Sequence, residues 1–341
     1  MITKQEIEKI GEVIERYQRF VLTTHVNSDG DGIGSEVALA AYLKQRKKEV
    51  KILNSNRTPF NLRFLDPADE IEMFDVARHV EYVTSADVLF ILDISDWKRL
   101  RELGELVRPM GITKVCIDHH LCDKPFSDLD AIHSDASSTG EVMFDLLKGL
   151  GAKMNMRICE AIYTAILTDT GSFRFTNTSA KVHQIAAELH ENKVDAHRIY
   201  QEIYENESVA RIRLLSRVLG SMGTYYEGQL ATLFVSQKML AETDSTLKDI
   251  EGFSDIPRTI SGVEVAILFV EQPGGAVKIS FRSKGKISIN ALARQYDGGG
   301  HAFASGATIK GRLDTVKNNV VRDAASLFSA EEPNIMETIR K

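Results

Sequence analysis

His25-Val26-Asn27-Ser28-Asp29-Gly30-Asp31 places one imidazole and two carboxylates within seven residues, directly after the apolar run Phe20-Val21-Leu22-Thr23-Thr24. Imidazole and carboxylate together are a donor set for Mn²⁺ and similar first-row ions. Gly30 and Gly32 relax the backbone, so the sequence predicts that Asp29 and Asp31 can be aimed independently. A calcium loop is the superficial alternative, but no helix precedes the segment and no Glu closes it. The plain alternative is a strand-to-helix turn in which Ser35 caps the next helix. Three more clusters carry the same chemistry: Asp93-Ile94-Ser95-Asp96, Asp118-His119-His120, and Asp169 within Thr168-Asp169-Thr170-Gly171. A different chemistry is written in Gly298-Gly299-Gly300-His301, with Ser305-Gly306 beyond it. A glycine run lets backbone N–H groups approach an anion. His301 can donate to a phosphate oxygen, and Arg282 and Lys284 add positive charge, Arg282 in a form suited to bidentate phosphate contact.

The elements that must position these groups are legible from periodicity. Residues 4–18 read as a helix, 20–24 as a buried strand, about 35–46 as a helix, and 50–53, 88–92 and 114–117 as strands. Helices are expected near 138–149 and 155–168. Strands alternating with helices indicate an α/β architecture with a mostly parallel sheet. Three strands run straight into polar clusters, at His25, Asp93 and Asp118. Ligands of open α/β sheets bind beyond the carboxyl ends of the strands, so clusters distant in sequence should converge there. From about 179 to 220 the chain reads as wholly helical. Strands follow at 231–235, 263–270 and 277–281, the last two joined by the turn Gln272-Pro273-Gly274-Gly275. A helix near 289–296, a strand at 304–309 and a helix near 314–328 complete a smaller α+β domain. The expected division is a catalytic domain with the metal site at 1–185, a helical connector at 186–222, a substrate-binding domain at 223–330 and a loosely held tail at 331–341.

The composition bounds the class. The 341 residues are 43% hydrophobic and 26% charged, which suits a globular two-domain protein. No apolar run approaches about 18 residues, and the N-terminus has no signal pattern, so a cytoplasmic protein without a membrane partner is expected. Cys116, Cys122 and Cys159 form neither a disulfide framework nor a zinc site, and Cys116 reads as core. A net charge of −6 argues against a long duplex nucleic acid as partner, since phosphate contacts dominate that affinity.

The five motifs occur in the order His-x-x-x-Asp-x-Asp-x-x-Gly-Ser, Asp at a strand end, Asp-His-His, Asp before Thr-Gly, and Gly-Gly-Gly-His. This pattern resembles the DHH/DHHA1 phosphoesterases, and within them the bacterial nano-RNase branch that couples oligoribonuclease with 3′-phosphoadenosine-5′-phosphate phosphatase activity. The resemblance runs from about residue 1 to 330. Ser28 and Gly32 stand where members often carry Pro and Ala, and neither is a ligand. It implies a DHH domain with a parallel sheet, joined by the connector to a DHHA1 domain. It also implies two Mn²⁺ ions, with Mg²⁺, Co²⁺ or Fe²⁺ as alternatives. His25, Asp29 and Asp93 would hold one ion. Asp31, Asp93, His119 and Asp169 would hold the other, with Asp93 bridging. Asp118, His119 and His120 join Asp93 in the catalytic set, His120 also touching the phosphate and Asp118 orienting a histidine. Arg282, Gly299, Gly300 and His301 would clamp a terminal phosphate or base across a cleft, favouring substrates of two to five nucleotides. The expected activity is two-metal hydrolysis of short RNA or of a small nucleotide. The alternatives are a phosphodiesterase for cyclic di-AMP or its linear product pApA, a family II pyrophosphatase, which should lack the glycine–histidine clamp, and a non-catalytic nucleotide sensor. The sequence leaves a homodimer open.

Overall fold

The computed structural model describes residues 1–122 and 126–328, so the expected tail at 331–341 lies outside the described residues. The chain divides into two compact units, Met1–Asn206 and the part from Glu207 onward.

The first unit runs α1 (Lys4–Arg16), β1 (Arg19–Thr23), α2 (Gly30–Gln45), β2 (Glu49–Asn54), β3 (Ile71–Met73), α3 (Val76–Thr84), β4 (Val88–Leu92), α4 (Arg101–Val107), β5 (Thr113–Asp118), β6 (Leu129–Ile132), α5 (Thr139–Gly149), α6 (Met156–Asp169), α7 (Ala180–Glu191) and α8 (Ala196–Tyr204). Its six strands are parallel and ordered β3-β2-β1-β4-β5-β6. Both faces of the sheet are covered, which explains why β4 is apolar at every position. Val88, Phe90 and Leu92 join Phe20 and Leu22 in the core shared with α2, α5 and α6. Leu89 and Ile91 join Val21 in the core shared with α3 and α4. Strand order reverses between β1 and β4, so the crevice at their carboxyl ends is the topological switch point where ligands bind in this architecture.

Helix α2 is the central element, buried from Gly30 to Leu43. It begins at Gly30, ahead of the start expected near 35, and Asp29 is the N-cap, its side chain accepting from the backbone of Asp31 and Gly32. Gly30 and Gly32 are therefore helical and do not act as loosening loop residues. A Cβ at Gly30 would lie 2.5 Å from Thr168, one at Gly32 2.5 Å from Thr24, and one at Gly34 2.4 Å from the carbonyl oxygen of Ala161. The glycines let α2 press against α6 and β1, which fixes the spacing between the groups those elements carry.

The second unit contains α9 (Val209–Leu219), β7 (Gly223–Tyr225), β8 (Leu230–Val235), α10 (Gln237–Glu242), β9 (Val265–Gln272), β10 (Ala276–Ser283), α11 (Asn290–Arg294), β11 (Gly299–His301), β12 (Ala304–Lys310) and α12 (Leu313–Asp323). Its sheet is ordered β11-β12-β10-β9-β8-β7, with β8 and β9 parallel and the other pairs antiparallel. Gly274 and Gly275, at φ +88° and +78°, turn the β9–β10 hairpin as expected. The α/β unit followed by an α+β unit is the fold class read from the sequence. The 179–220 region, expected to be one helical stretch, is three helices, each started by its own polar cap: Ser179, Asp195 and Ser208. Among the described residues no helix is long and apolar enough to cross a membrane.

Candidate metal centre and anion groove

At the switch point, β1 delivers His25 into a nearly closed setting, 4% exposed. Its Nδ1 lies 3.0 Å from the carbonyl oxygen of Val26, an acceptor that fixes the proton on Nδ1 and leaves the Nε2 lone pair for a metal. Nε2 is 3.3 Å from Asp93 Oδ2 and 3.7 Å from Asp29 Oδ2. Asp29 has two tasks: Oδ1 caps α2 and Oδ2 faces His25. Asp93 leaves β4 with φ +59°, a left-handed conformation that non-glycine residues adopt at local cost. Its Oδ1 accepts from Thr139 Oγ1 at 3.0 Å.

Asp31, on the first turn of α2, is 1% exposed. Its two oxygens accept from the amides of Thr139 and Gly140 at 2.7 and 2.8 Å, at the positive end of α5. His119 Nε2 lies 3.6 Å from each of Asp31 Oδ2, Asp93 Oδ1 and Asp169 Oδ2. His120 turns Nδ1 to Asp118 Oδ1 at 2.8 Å, and the same nitrogen is 3.6 Å from Asp93 Oδ1. Asp118 Oδ1 also accepts from the amides of His119 and His120 at 2.7 and 3.1 Å. Three groups of donor atoms thus fit around small ions: His25, Asp29 and Asp93; Asp31, His119 and Asp169; and Asp93, His119 and His120.

The charges show what the arrangement requires. Burial, then the nearby carboxylates of Asp93, Asp169 and Asp29, hold Asp31 well above the ordinary carboxylate range. Burial, with Asp93 and Asp29 adding to it against His119, pushes Asp169 to about 6. Burial works against a charged His25, but Asp29 and Asp93 outweigh it and lift the imidazole to about 10. Four carboxylates crowded into one partly dry site repel each other, and bound cations relieve this. The donor set therefore fits divalent metal on the residues themselves.

Several supporting residues carry no sequence signal of their own. Ser138-Thr139-Gly140-Glu141 marks a helix start, Ser138 Oγ accepting from the Glu141 amide, but nothing in that pattern tells that the Thr139 and Gly140 amides meet Asp31. Asn54, at the end of β2, accepts from the Thr24 amide at 3.1 Å and donates to Glu36 Oε2 at 2.8 Å. Asn56 accepts from the Asn27 amide at 2.9 Å, holding a residue at φ +58°. These side chains brace the His25 turn from β2 and α2. Asp96 serves a local purpose, capping the short 3₁₀ turn after it.

The glycine run belongs to the second unit, where Gly299–His301 form the edge strand β11, pairing with Ala304–Gly306. Gly298 is needed for close packing, since a Cβ there would lie 2.3 Å from the Gly306 oxygen, whereas Gly299 faces open space. Gly300 has φ +137°, a conformation glycine alone adopts freely. With Lys278, Ser280 and Arg282 of β10 and Gly306 of β12, Gly298 and Gly299 line a groove of about 660 Å³. Arg282 donates from Nη1 to the Phe281 carbonyl at 3.0 Å, and its Nε lies 3.8 Å from Asp255 Oδ1. Lys284 does not line the groove; its Nζ donates to the Ile260 carbonyl.

Residues 19–168 match the DHH family, N-terminal domain, and residues 228–330 match the DHHA1 domain. A bifunctional oligoribonuclease and PAP phosphatase of Thermus thermophilus is 31% identical over 308 residues, covering 90% of this chain and 89% of that protein. The chain belongs to the DHH family. Its DHH and DHHA1 portions are the ones expected from the five motifs. The similarly named Bacillus subtilis protein is 29% identical over 299 residues, covering 87% of this chain and 91% of that one. The crystal structure of an exopolyphosphatase-related protein from Bacteroides fragilis aligns with a TM-score of 0.86 at 30% identity, covering 97% of this DHH protein and 99% of the other. The exonuclease RecJ, solved with manganese, shares the fold at a TM-score of 0.59 and 13% identity, over 99% of this chain and 97% of that one.

Proposed function

We propose that this protein is a divalent-metal phosphoesterase that hydrolyses oligoribonucleotides of two to five residues and 3′-phosphoadenosine-5′-phosphate. The observation that carries the reading is the meeting of His25, Asp29, Asp31, Asp93, His119 and Asp169 at one switch point. Two relatives named for those activities add support across nearly the whole chain. In this reading His25, Asp29 and Asp93 would hold one ion, and Asp31, Asp93, His119 and Asp169 would hold a second, with Asp93 common to both sets. The mixed imidazole and carboxylate donors favour Mn²⁺ over Mg²⁺, with Co²⁺ and Fe²⁺ as possible occupants. Bound there, the metals supply a water acidified towards neutral pH and neutralise charge on the transferring phosphoryl group.

The chain's own groups do the positioning. The α5 amides and Thr139 Oγ1 hold Asp31 and Asp93 in place, so the carboxylates need not reorganise during turnover. Asp118 accepts from Nδ1–H of His120 and favours the protonated imidazole, whose Nε2–H can then donate to a phosphate oxygen. Arg282, the backbone of Gly299 and Gly300, and His301 hold a terminal phosphate or base of the substrate.

The test is turnover with Mn²⁺, with and without EDTA. The substrates are a 5′-phosphorylated diribonucleotide, a 5-mer, a 24-mer, 3′-phosphoadenosine-5′-phosphate and cyclic di-AMP. EDTA-sensitive cleavage of the two short RNAs, with little action on the 24-mer, is the expected result. Preference for cyclic di-AMP would reassign the substrate. Tight nucleotide binding without turnover would make the protein a sensor and defeat the proposal.

A further inference from the structure

The segment after Asp169 is bent in a way that helix termination does not require. Helix α6 ends in a Schellman arrangement: the Ser172 amide donates to the Leu167 oxygen at 2.8 Å and the Gly171 amide to the Thr168 oxygen at 3.1 Å. That motif needs one left-handed residue, normally glycine, and Gly171 at φ +56° supplies it. Yet Ser172 and Phe173 continue left-handed at φ +61° and +62°. Side chains rarely adopt that conformation even singly, and such strain persists where the surroundings fix it. Here they do. The Phe173 amide donates to Thr170 Oγ1 at 3.1 Å, and its ring stacks on His183 with centroids 5.6 Å apart. Arg174 Nε donates to the Gly171 carbonyl at 2.6 Å.

The product of this turn is the placement of Phe175. Phe175 is 56% exposed, so hydrophobic burial does not explain its position. The ring tip lies over Gly171: a Cβ there would sit 2.4 Å from Phe175 Cζ and 2.6 Å from Cε1 and Cε2. Gly171 therefore serves twice, as the helix stop and as the cradle of the ring, two residues past Asp169. One exposed Phe on a surface needs no explanation. An exposed Phe seated in a glycine cradle by three successive left-handed residues, beside a metal-ligating carboxylate, does.

We propose that Phe175 is a stacking platform for a base of the substrate, at the rim of the metal centre. Every base offers a π-face, so the platform is indifferent to sequence, and it would help a site that must hold substrates too short to make many phosphate contacts. The inference rests on the short-oligonucleotide reading above.

The experiment compares full-length wild type with Phe175→Ala, Phe175→Leu and Phe175→Trp. Each is assayed with Mn²⁺ on a 5′-phosphorylated diribonucleotide and on two analogues, each lacking one of its bases. Stacking on this scale predicts a rise in KM of roughly 5- to 100-fold in Phe175→Ala with kcat within about twofold. Phe175→Trp should restore KM and Phe175→Leu should not. The defect should vanish on one of the two base-less analogues, identifying the stacked base. An unchanged KM in Phe175→Ala, full rescue by Leu, or an equal defect on both analogues would overturn the platform. If wild type fails to cleave the dinucleotide at all, the functional reading has failed. If wild type cleaves it and Phe175→Ala does so equally well, only the platform has.

Discussion

The candidate sites of the two units are built from contrasting groups. In the first, carboxylates are buried, crowded and individually tied down: Asp31 by two amides, Asp93 by a hydroxyl, Asp29 by the start of α2. In the second, Lys278, Arg282, Gly298 and Gly299 line one open groove, and the nearest carboxylate to the Arg282 guanidinium, that of Asp255, is 3.8 Å away. The glycines differ in the same way. Gly30 and Gly34 vanish into helix packing, whereas Gly299 leaves its backbone facing open space. A site that must hold repelling charges needs rigidity built from many partners. A site that only receives an anion needs access. Damage to the first should therefore appear in kcat and metal affinity, and damage to the second in KM.

The harshest break of this contrast is Asp93→Ala. Asp93 lies 3.3 Å from His25, 3.6 Å from both His119 and His120, and accepts from Thr139, so its loss takes a donor from two of the three groups and a neighbour from His119 of the third. Turnover on a diribonucleotide should fall to the level of the enzyme-free control. The thermal transition of the metal-free protein should hold or rise, because one of four repelling carboxylates is gone. Retained turnover would remove Asp93 from the chemistry and the shared-ligand model with it.

A matched pair comes next. Thr139→Ala removes the hydroxyl behind Asp93 and should cost about 10–100-fold in metal affinity or activity, with Thr139→Ser restoring most of it. Arg282→Ala removes a charge-assisted contact and should raise KM by roughly 10- to 100-fold with kcat nearly intact. Mn²⁺ titration by calorimetry and steady-state kinetics on both variants read the difference. If Arg282→Ala weakened Mn²⁺ binding as much as Thr139→Ala did, the proposed division of labour would be wrong.

How much of this was legible follows from what a sequence pattern can encode. His25, Asp93 and Asp118 could be brought together on paper because parallel strands share a carboxyl edge, so three apolar runs ending in polar residues imply one place. Thr139 and Gly140 could not, since their use depends on α5 starting opposite Asp31, 108 residues away in sequence. The glycines of α2 misled because the same residue that frees a loop also permits close helix packing, and only the presence of Thr168, Thr24 and Ala161 across the contact decides which. Strands β3 and β6, of three and four residues, are too short to show a pattern, and pairing with β2 and β5 makes them. Lys284 looked equivalent to Arg282 by spacing, but it lies beyond the end of β10 and reaches the Ile260 carbonyl.

The mildest test concerns the bracing behind the acidic site. Glu36 is fully buried on α2 and accepts from Asn54 Nδ2, whose own carbonyl accepts from the amide before His25. Burial pushes its carboxyl from 4.5 up to about 8. Between those values the folded state keeps a proton that the unfolded chain has released. Stability therefore falls as pH rises across that window, by the linkage between proton binding and folding. Glu36→Gln keeps an oxygen for Asn54 and is neutral throughout, so that source of pH dependence is absent. Thermal unfolding of both proteins from pH 5 to 8 should show a shallower decline in the variant and the greater relative gain at pH 8, with kcat within a few-fold of wild type. Parallel curves would mean that Glu36 is charged when folded. The His25 turn would then be braced by a buried anion instead of a neutral acid, and the contrast between the charged rim of the metal centre and its neutral support would fail.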